Sequence, residues 1–235
     1  MSIFNLFKRP QVCGRVSILI PTMFDSRCII ELCLKSIWKN TDYPDYEIIV
    51  CDAGADGDTR LYLDSLVKEN KIKLIKATDW ERPKDDLARA VTTEYYIVMH
   101  DDTQIMKKDW IRRRLILMVK DPNNAIVGTT VKNYHKTNRF FPLGLLVKTA
   151  VSREIGLVWG KQPGFDTGAL AYEKFFSQKK YKFVSFKMSR DIRHFSDMTW
   201  PKYHNEQSYP GVDKKMKERE RKIQLIRSVL DKEAY

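Results

Sequence analysis

Three apolar runs, Val16–Thr22, Glu47–Asp52 and Tyr95–Met99, each end at a polar or turn-forming cluster, and what lies between them restricts the fold sharply. After the first run, Ile30, Cys33, Leu34, Ile37 and Trp38 recur at i, i+3, i+4, i+7 and i+8, the period of an amphipathic helix. After the second come another helical pattern (Leu63, Leu66, Val67), a short strand from Ile72 to Ile75, and a short helical stretch near Leu87 to Val91. Strand and helix in alternation imply a mostly parallel sheet with helices on both faces. Ligands of such sheets bind beyond the carboxyl ends of the strands. Pro21, Thr22, Asp52, Asp101 and Asp102 then face one crevice.

The third run reads EYYIVMHDDTQI. Tyr95 to Met99 have the residue types of a buried strand, and two adjacent carboxylates follow. Acids at the end of a buried strand are costly unless something positive sits against them. A divalent cation carrying a phosphorylated ligand is one such partner, because hard cations bridge protein carboxylates to phosphates. The plainer alternative is a turn that caps a helix near Asp109–Val119.

The ordered segments VSILIPT, LKSIW, EIIVCDAGADGDT and EYYIVMHDDT, spread over roughly the first half of the chain, resemble the nucleotide-binding half of family 2 glycosyltransferases of the GT-A fold. The resemblance implies an α/β, Rossmann-like single domain over residues 15–205, with a nucleotide-sugar-binding half at 15–105 and an acceptor half at 106–205. It implies transfer of a single sugar from a UDP- or GDP-type donor to an acceptor hydroxyl. Pro21 and Thr22 would form the first donor turn, Asp52 would hold the base, Asp101 would lie near the ribose, and Asp102 would bind Mn²⁺ or Mg²⁺ on the diphosphate. The chain departs from the pattern in two places. Ala53 follows Asp52 where a second acid is common, and His100 stands where a third acid often precedes the pair. His100 is read as a residue of the sheet rim, with a place beside the metal left open.

In the acceptor half, Pro163-Gly164-Phe165-Asp166-Thr167-Gly168 precedes an aromatic-rich helix reaching about Lys180. Asp166 or Thr167 suits a helix N-cap. By the family resemblance, Asp166 would instead be the base that takes the acceptor's proton in an inverting transfer, with Asp191 and Glu173 next in line. His194 would be a further metal ligand, and a surface histidine is its alternative. Trp159, Trp200 and Tyr203 are loop aromatics whose exposure would let them stack on a sugar, with a packing plug as the alternative for Trp200-Pro201.

Composition restricts the rest. The 235 residues carry 42 Lys and Arg against 30 Asp and Glu, a net charge of +12 that favours anionic partners. Nucleotide, anionic glycan, phospholipid surface and even modified DNA all remain open as such, although no nucleic-acid motif is visible. No stretch approaches the roughly 20 apolar residues of a membrane span. Four cysteines without zinc spacing, and no secretory pattern, read as a cytoplasmic protein, with peripheral membrane contact open. The tail at 1–14 carries Ile3, Phe4, Leu6 and Phe7, either an interfacial anchor or packing. The basic tail at 206–235 is a helix with Met216, Ile223, Ile226 and Leu230 on one side, docking on the domain or on a second copy. The loop after the first strand lacks glycine, which argues against a sugar-nucleotide nucleotidyltransferase. A non-catalytic nucleotide-sugar or polyanion-binding protein is the reading from another class. The Gln-x-x-Arg-Trp motif of processive synthases is missing.

Overall fold

The computed structural model describes residues 13–24, 27–134, 137–163, 167–187, 191–196, 198 and 212–233. The first half alternates as expected: β1 (Val16–Phe24), α1 (Arg27–Lys39), β2 (Tyr46–Ala55), α2 (Gly57–Lys68), β3 (Lys73–Lys76), α3 (Pro83–Ala90) and β4 (Tyr95–Val98). It continues through β5 (Thr103–Ile105), α4 (Trp110–Val119), β6 (Asn124–Tyr134), β7 (Thr137–Lys148), α5 (Thr149–Ile155), α6 (Ala169–Phe176), β8 (Lys182–Ser185), β9 (Ile192–His194) and α7 (Val212–Glu233). Among the described residues a seven-stranded sheet runs in the order β3-β2-β1-β4-β7-β6-β8, and β5 pairs with β9 in a small second sheet. Neighbours are parallel except where β7 runs against β4 and β6.

The pleat of β1 explains why both faces are covered. Successive side chains of a strand point to opposite faces. Val16, Ile18 and Ile20 enter a core with Ile30, Leu34 and Ile37 of α1, Leu63 and Leu66 of α2, and Trp110 and Leu115 of α4. Leu19 enters the other core, with Leu87 of α3, Val151 of α5 and Phe175 of α6. Each fully buried side chain of this size contributes about 1.5–3 kcal/mol, so the two layers fix the register of the strands between them.

Where β1 and β4 part, the crevice opens. Their pairing ends at Leu19 and Val98, with one more bond from Met99 N to Leu19 O at 2.9 Å. Pro21 sits just beyond, still paired in register with Cys51 of β2. A proline has no N–H to donate to a ladder, and here it falls where β4 no longer runs alongside. The chain after β4 is then caught by α1. Thr103 Oγ1 donates to His100 O at 2.7 Å, Ile105 N donates to Ser36 Oγ at 2.9 Å, and Asn40 Nδ2 donates to Ile105 O at 2.8 Å.

Several expectations change. Helix α6 ends at Phe176 rather than near Lys180, and its N-cap is Gly168, at φ +80°, with no side-chain cap bond. A Cβ on Gly168 would lie 2.6 Å from Phe140 O, so this left-handed turn also needs the missing side chain. Helix α4 starts at Trp110 with Asp109 as N-cap, so Asp101 and Asp102 do not cap it. Trp159 is wholly buried, donating from Nε1 to Tyr96 Oη at 2.9 Å, and serves the core rather than a sugar. Trp200 and Tyr203, like the hydrophobic N-terminal residues Ile3 to Phe7, lie outside the described residues.

Helix α7 docks on the domain. Ile226 and Leu230, with Ile223 and Val229 beside them, pack on Ile29 and Leu32 of α1 and on Phe195 and Met198. Lys222 Nζ also donates to Ser196 O at 3.0 Å. The C-terminal helix therefore braces the segment that follows β9. No helix among the described residues is long and apolar enough to cross a membrane.

Candidate active site

The sequence-expected residues of the crevice form a connected line across three strand ends. Thr22 of β1 stands in register with Asp52 of β2 and is buried. Its side chain hydrogen-bonds Asp101, which follows β4. Asp102 comes next, and β9 brings His194 to it: Thr103 pairs with His194 across the small sheet, and Phe195 N donates to Asp102 O at 2.9 Å. Asp52, Asp101 and Asp102 are all nearly inaccessible, at 4%, 7% and 5% exposure, so none is a simple solvated turn residue.

Asp52 is fully engaged by its own chain. Oδ1 accepts from Gly54 N at 2.9 Å and Ala55 N at 2.7 Å, and Oδ2 faces Arg60 at 2.5 Å. The glycine at 54, with φ +107°, turns the chain so that those N–H groups point back.

The other acids are not satisfied in this way. Burial, with the neighbouring charge of Asp102, pushes the Asp101 carboxyl well above the usual range, against the hydrogen bond from Thr22 and the charge of Lys84. For Asp102, burial works in the same upward direction, but His194 and His100 outweigh it and hold the carboxyl below its ordinary value. His194 Nε2 lies 3.1 Å from Asp102 Oδ1, and His100 Nδ1 lies 3.9 Å from that oxygen. His100 Nε2, Asp102 Oδ1 and His194 Nε2 are nevertheless buried without a directed hydrogen bond. One ligand atom from each of these three residues falls within 4.8 Å of the others. His100, 27% exposed in its side chain, thus borders Asp102 and His194 from the sheet rim where the sequence reading put it. Burial first, then Lys84, depresses its basicity. Imidazole nitrogens and a carboxylate oxygen gathered this closely are a donor set that fits a divalent cation.

Two cations near this cluster escaped the sequence reading. Lys84, at the start of α3, and Arg139, on β7, both act on His100 electrostatically. A helix that follows a strand in a parallel sheet starts at the crevice end, and Pro83 at its first turn marks that start. That signal was available for Lys84. Nothing equivalent marked Arg139. Asp166 lies outside the described residues. Of the two reserve acids, Asp191 is 1% exposed in its side chain and bound by Arg113 at 2.5 Å and Arg114 at 3.2 Å, while Glu173 is exposed on α6.

Comparison with known proteins bears on the family and the fold. The model of the family described as Glycosyl transferase family 2 matches residues 17–190. The chain belongs to that family and has the GT-A fold. A mannosyltransferase from Pyrobaculum calidifontis, solved with GDP-Man and Mn²⁺, superposes with a TM-score of 0.65 at 16% identity, over 83% of this chain and 61% of its own. TarS 1-349 from S. aureus, solved with UDP-GlcNAc, gives 0.53 at 13% identity, over 74% and 59%. The chain thus spans about three-fifths of the length of those structures. No curated protein matches it.

Proposed function

We propose that this chain is a glycosyltransferase that moves one sugar from a nucleoside-diphosphate sugar to an acceptor hydroxyl, by an inverting displacement assisted by Mn²⁺ or Mg²⁺. The observation that carries the proposal is the cluster of buried ligand atoms that Asp102, just after β4, and His194, on β9, bring together. In this reading Pro21 and Thr22 line the donor crevice, Asp52 accepts from the base, and Asp101 accepts from the ribose. Asp102 and His194 hold the cation. A bound divalent cation supplies charge to offset what builds on a leaving diphosphate. Lys84 and Arg139 add positive potential from the side and need no proton transfer to do so. The solved relatives hold GDP-Man and UDP-GlcNAc, which supports a nucleotide sugar of either base. The acceptor is a glycan, lipid-linked or other glycoconjugate hydroxyl. Asp166 is the proposed base.

A thermal-shift panel of nucleoside diphosphates with and without Mn²⁺ tests donor binding, because a ligand that binds only the folded state raises its stability by mass action. The expected result is stabilisation by UDP or GDP that disappears with chelator. Stabilisation indifferent to both chelator and Asp102→Ala would sink the metal assignment. Asp166→Asn is expected to lower kcat by about 10²–10⁴, the usual worth of base catalysis, with donor affinity unchanged. Retained turnover would move the base elsewhere, and the exposed Glu173 is then the next candidate.

A further inference from the structure

We infer that His100 is a third ligand of the cation, and that the resulting pair of imidazoles and one carboxylate makes this site select Mn²⁺, Co²⁺ or Zn²⁺ over Mg²⁺. The inference rests on the reading of Asp102 and His194 as cation ligands and adds to it a residue at which this chain departs from the acids common in its family.

Three features place His100 in the cluster. Its ring meets that of His194 at 5.3 Å between centroids and 77° between planes, so the edge of one imidazole lies against the face of the other and the two do not stack. Phe141 closes one side, 6.5 Å from the His100 ring and 5.9 Å from that of His194, an apolar wall that offers neither ring a hydrogen bond. The backbone of His100 is pinned by Thr103 Oγ1 at 2.7 Å, with Cys33 Sγ at 3.7 Å, so the residue is held in this place by the α1 side of the fold. His194 is oriented from behind as well: its Nδ1 meets Ser196 Oγ at 3.1 Å, which leaves Nε2 to face Asp102. A ligating histidine commonly has its second nitrogen fixed in this way. Asp102 Oδ1 and His194 Nε2 face each other at 3.1 Å, whereas His100 Nε2 is buried with no hydrogen bond, a cost on the order of 1–3 kcal/mol if nothing joins it.

The donor set decides the metal. Mg²⁺ binds carboxylate, phosphate and water oxygens, and imidazole is a poor exchange for its hydration shell. Imidazole suits the later divalent metals, whose affinity for nitrogen rises along the first transition row. An acid in the place of His100 would add negative charge and oxygen, and would admit Mg²⁺. His100 removes both.

The test uses the purified chain stripped by chelator, with UDP or GDP present. Cation affinity is read by calorimetry, and the Co²⁺ form by its visible absorption, which reports nitrogen ligation without any turnover. The expected result is Mg²⁺ binding weaker than Mn²⁺ or Co²⁺ by about 100-fold, given the nitrogen donors. His100→Asp is expected to narrow that gap to within roughly tenfold, and His100→Gln to weaken Co²⁺ at least about tenfold and shift its absorption band, as loss of a nitrogen ligand should. If His100→Gln and His100→Asp keep wild-type Co²⁺ affinity and spectrum while Asp102→Ala abolishes binding, the inference is overturned and the Asp102–His194 site stands. If the wild-type chain binds none of these cations, both fall together.

Discussion

Two strands of this sheet end in buried acids, and the chain treats them in opposite ways. At the end of β2, every oxygen of Asp52 has a partner from its own loop or from α2: two backbone N–H groups on Oδ1 and Arg60 on Oδ2. At the end of β4, Asp101 is pushed toward protonation by burial and by its neighbour, and Asp102 Oδ1 ends in a cluster of imidazole nitrogens without a directed bond. An acid satisfied by the chain contributes to stability whether or not a ligand arrives. An acid left unsatisfied holds a cost that a bound cation can remove. The two strand ends look alike in sequence and are different in physics. Only the second carries the mark of a site built for something the chain does not supply.

The largest effect should come from the unsatisfied end. Asp102→Ala is expected to lower kcat/KM for sugar transfer by roughly 10³-fold or more, since a Lewis acid is worth several kcal/mol to a charged transition state. Its melting temperature should change little without metal, because the burial cost of the charge and its pairing with His194 and His100 are lost together. Steady-state kinetics and calorimetry on the same preparation check both halves. A variant that melts early yet retains transfer per folded molecule would show that Asp102 belongs with Asp52, as a structural acid.

Asp191 sharpens the contrast from the other side. It is another buried acid, and its partner Arg114 is wholly buried, also donating to Gly144 O at 2.8 Å and Trp110 O at 2.6 Å. Burial lowers the Arg114 pKa to about 10 even with Asp191 opposing that fall. Removing one partner of such a pair leaves a buried charge alone, at a cost of about 3–5 kcal/mol. Asp191→Asn should therefore lower the melting temperature by on the order of 10 °C for a chain of this size. Because Asp191 directly precedes β9, cation affinity should fall in the same variant, through His194. The double variant Asp191→Leu with Arg114→Met should recover most of the stability, since an apolar pair can replace a buried ion pair. Unaltered melting of Asp191→Asn would refute the buried-pair account.

Legibility in the sequence followed the same division between local pattern and long-range meeting. The strands and helices of the first half were readable because each is a short apolar run or a helical period, as with Val16 to Ile20 in β1 and Ile30 to Trp38 in α1. The long β6–β7 hairpin was not readable: Leu143 to Val147 are buried on both faces of the sheet, so no alternation survives to mark a strand. Asp52, Asp101 and Asp102 were legible by position alone, as acids at strand ends. The meeting of His194 with Asp102 is made by a two-stranded pairing across some 90 residues of chain, which no local pattern encodes, and it came only through family resemblance. His100 was visible as a departure from that family. Its direction was not, because a turn fixed by Thr103 and Cys33 decides which way the ring faces. Trp159 failed for a related reason: a loop residue was expected to be exposed, but Asp85 accepts from its backbone N at 2.6 Å and draws the loop into the core.

The smallest predicted effect tests whether the satisfied acid also touches the donor. If Asp52 accepts a hydrogen bond from the base, that bond must share Oδ2 with Arg60, because Oδ1 already holds two N–H groups. Asp52→Asn keeps an oxygen for Gly54 and Ala55 but gives up the charge, and Arg60 is 41% exposed in its side chain, so the lost ion pair should cost no more than about 1 kcal/mol of stability. Donor affinity should fall by roughly fivefold, the equivalent of one ordinary hydrogen bond of about 1 kcal/mol. Arg60→Ala should act with the opposite sign. It frees Oδ2, so donor affinity should rise slightly, by less than about threefold, while stability declines by a similarly small amount. Calorimetric titration of UDP and GDP into the two variants reads both signs directly. Opposed shifts would make Asp52 a shared residue, structural first and ligand-binding second. Equal losses in both variants would mean that the ion pair merely shapes the loop, and the base would then be held elsewhere in the crevice.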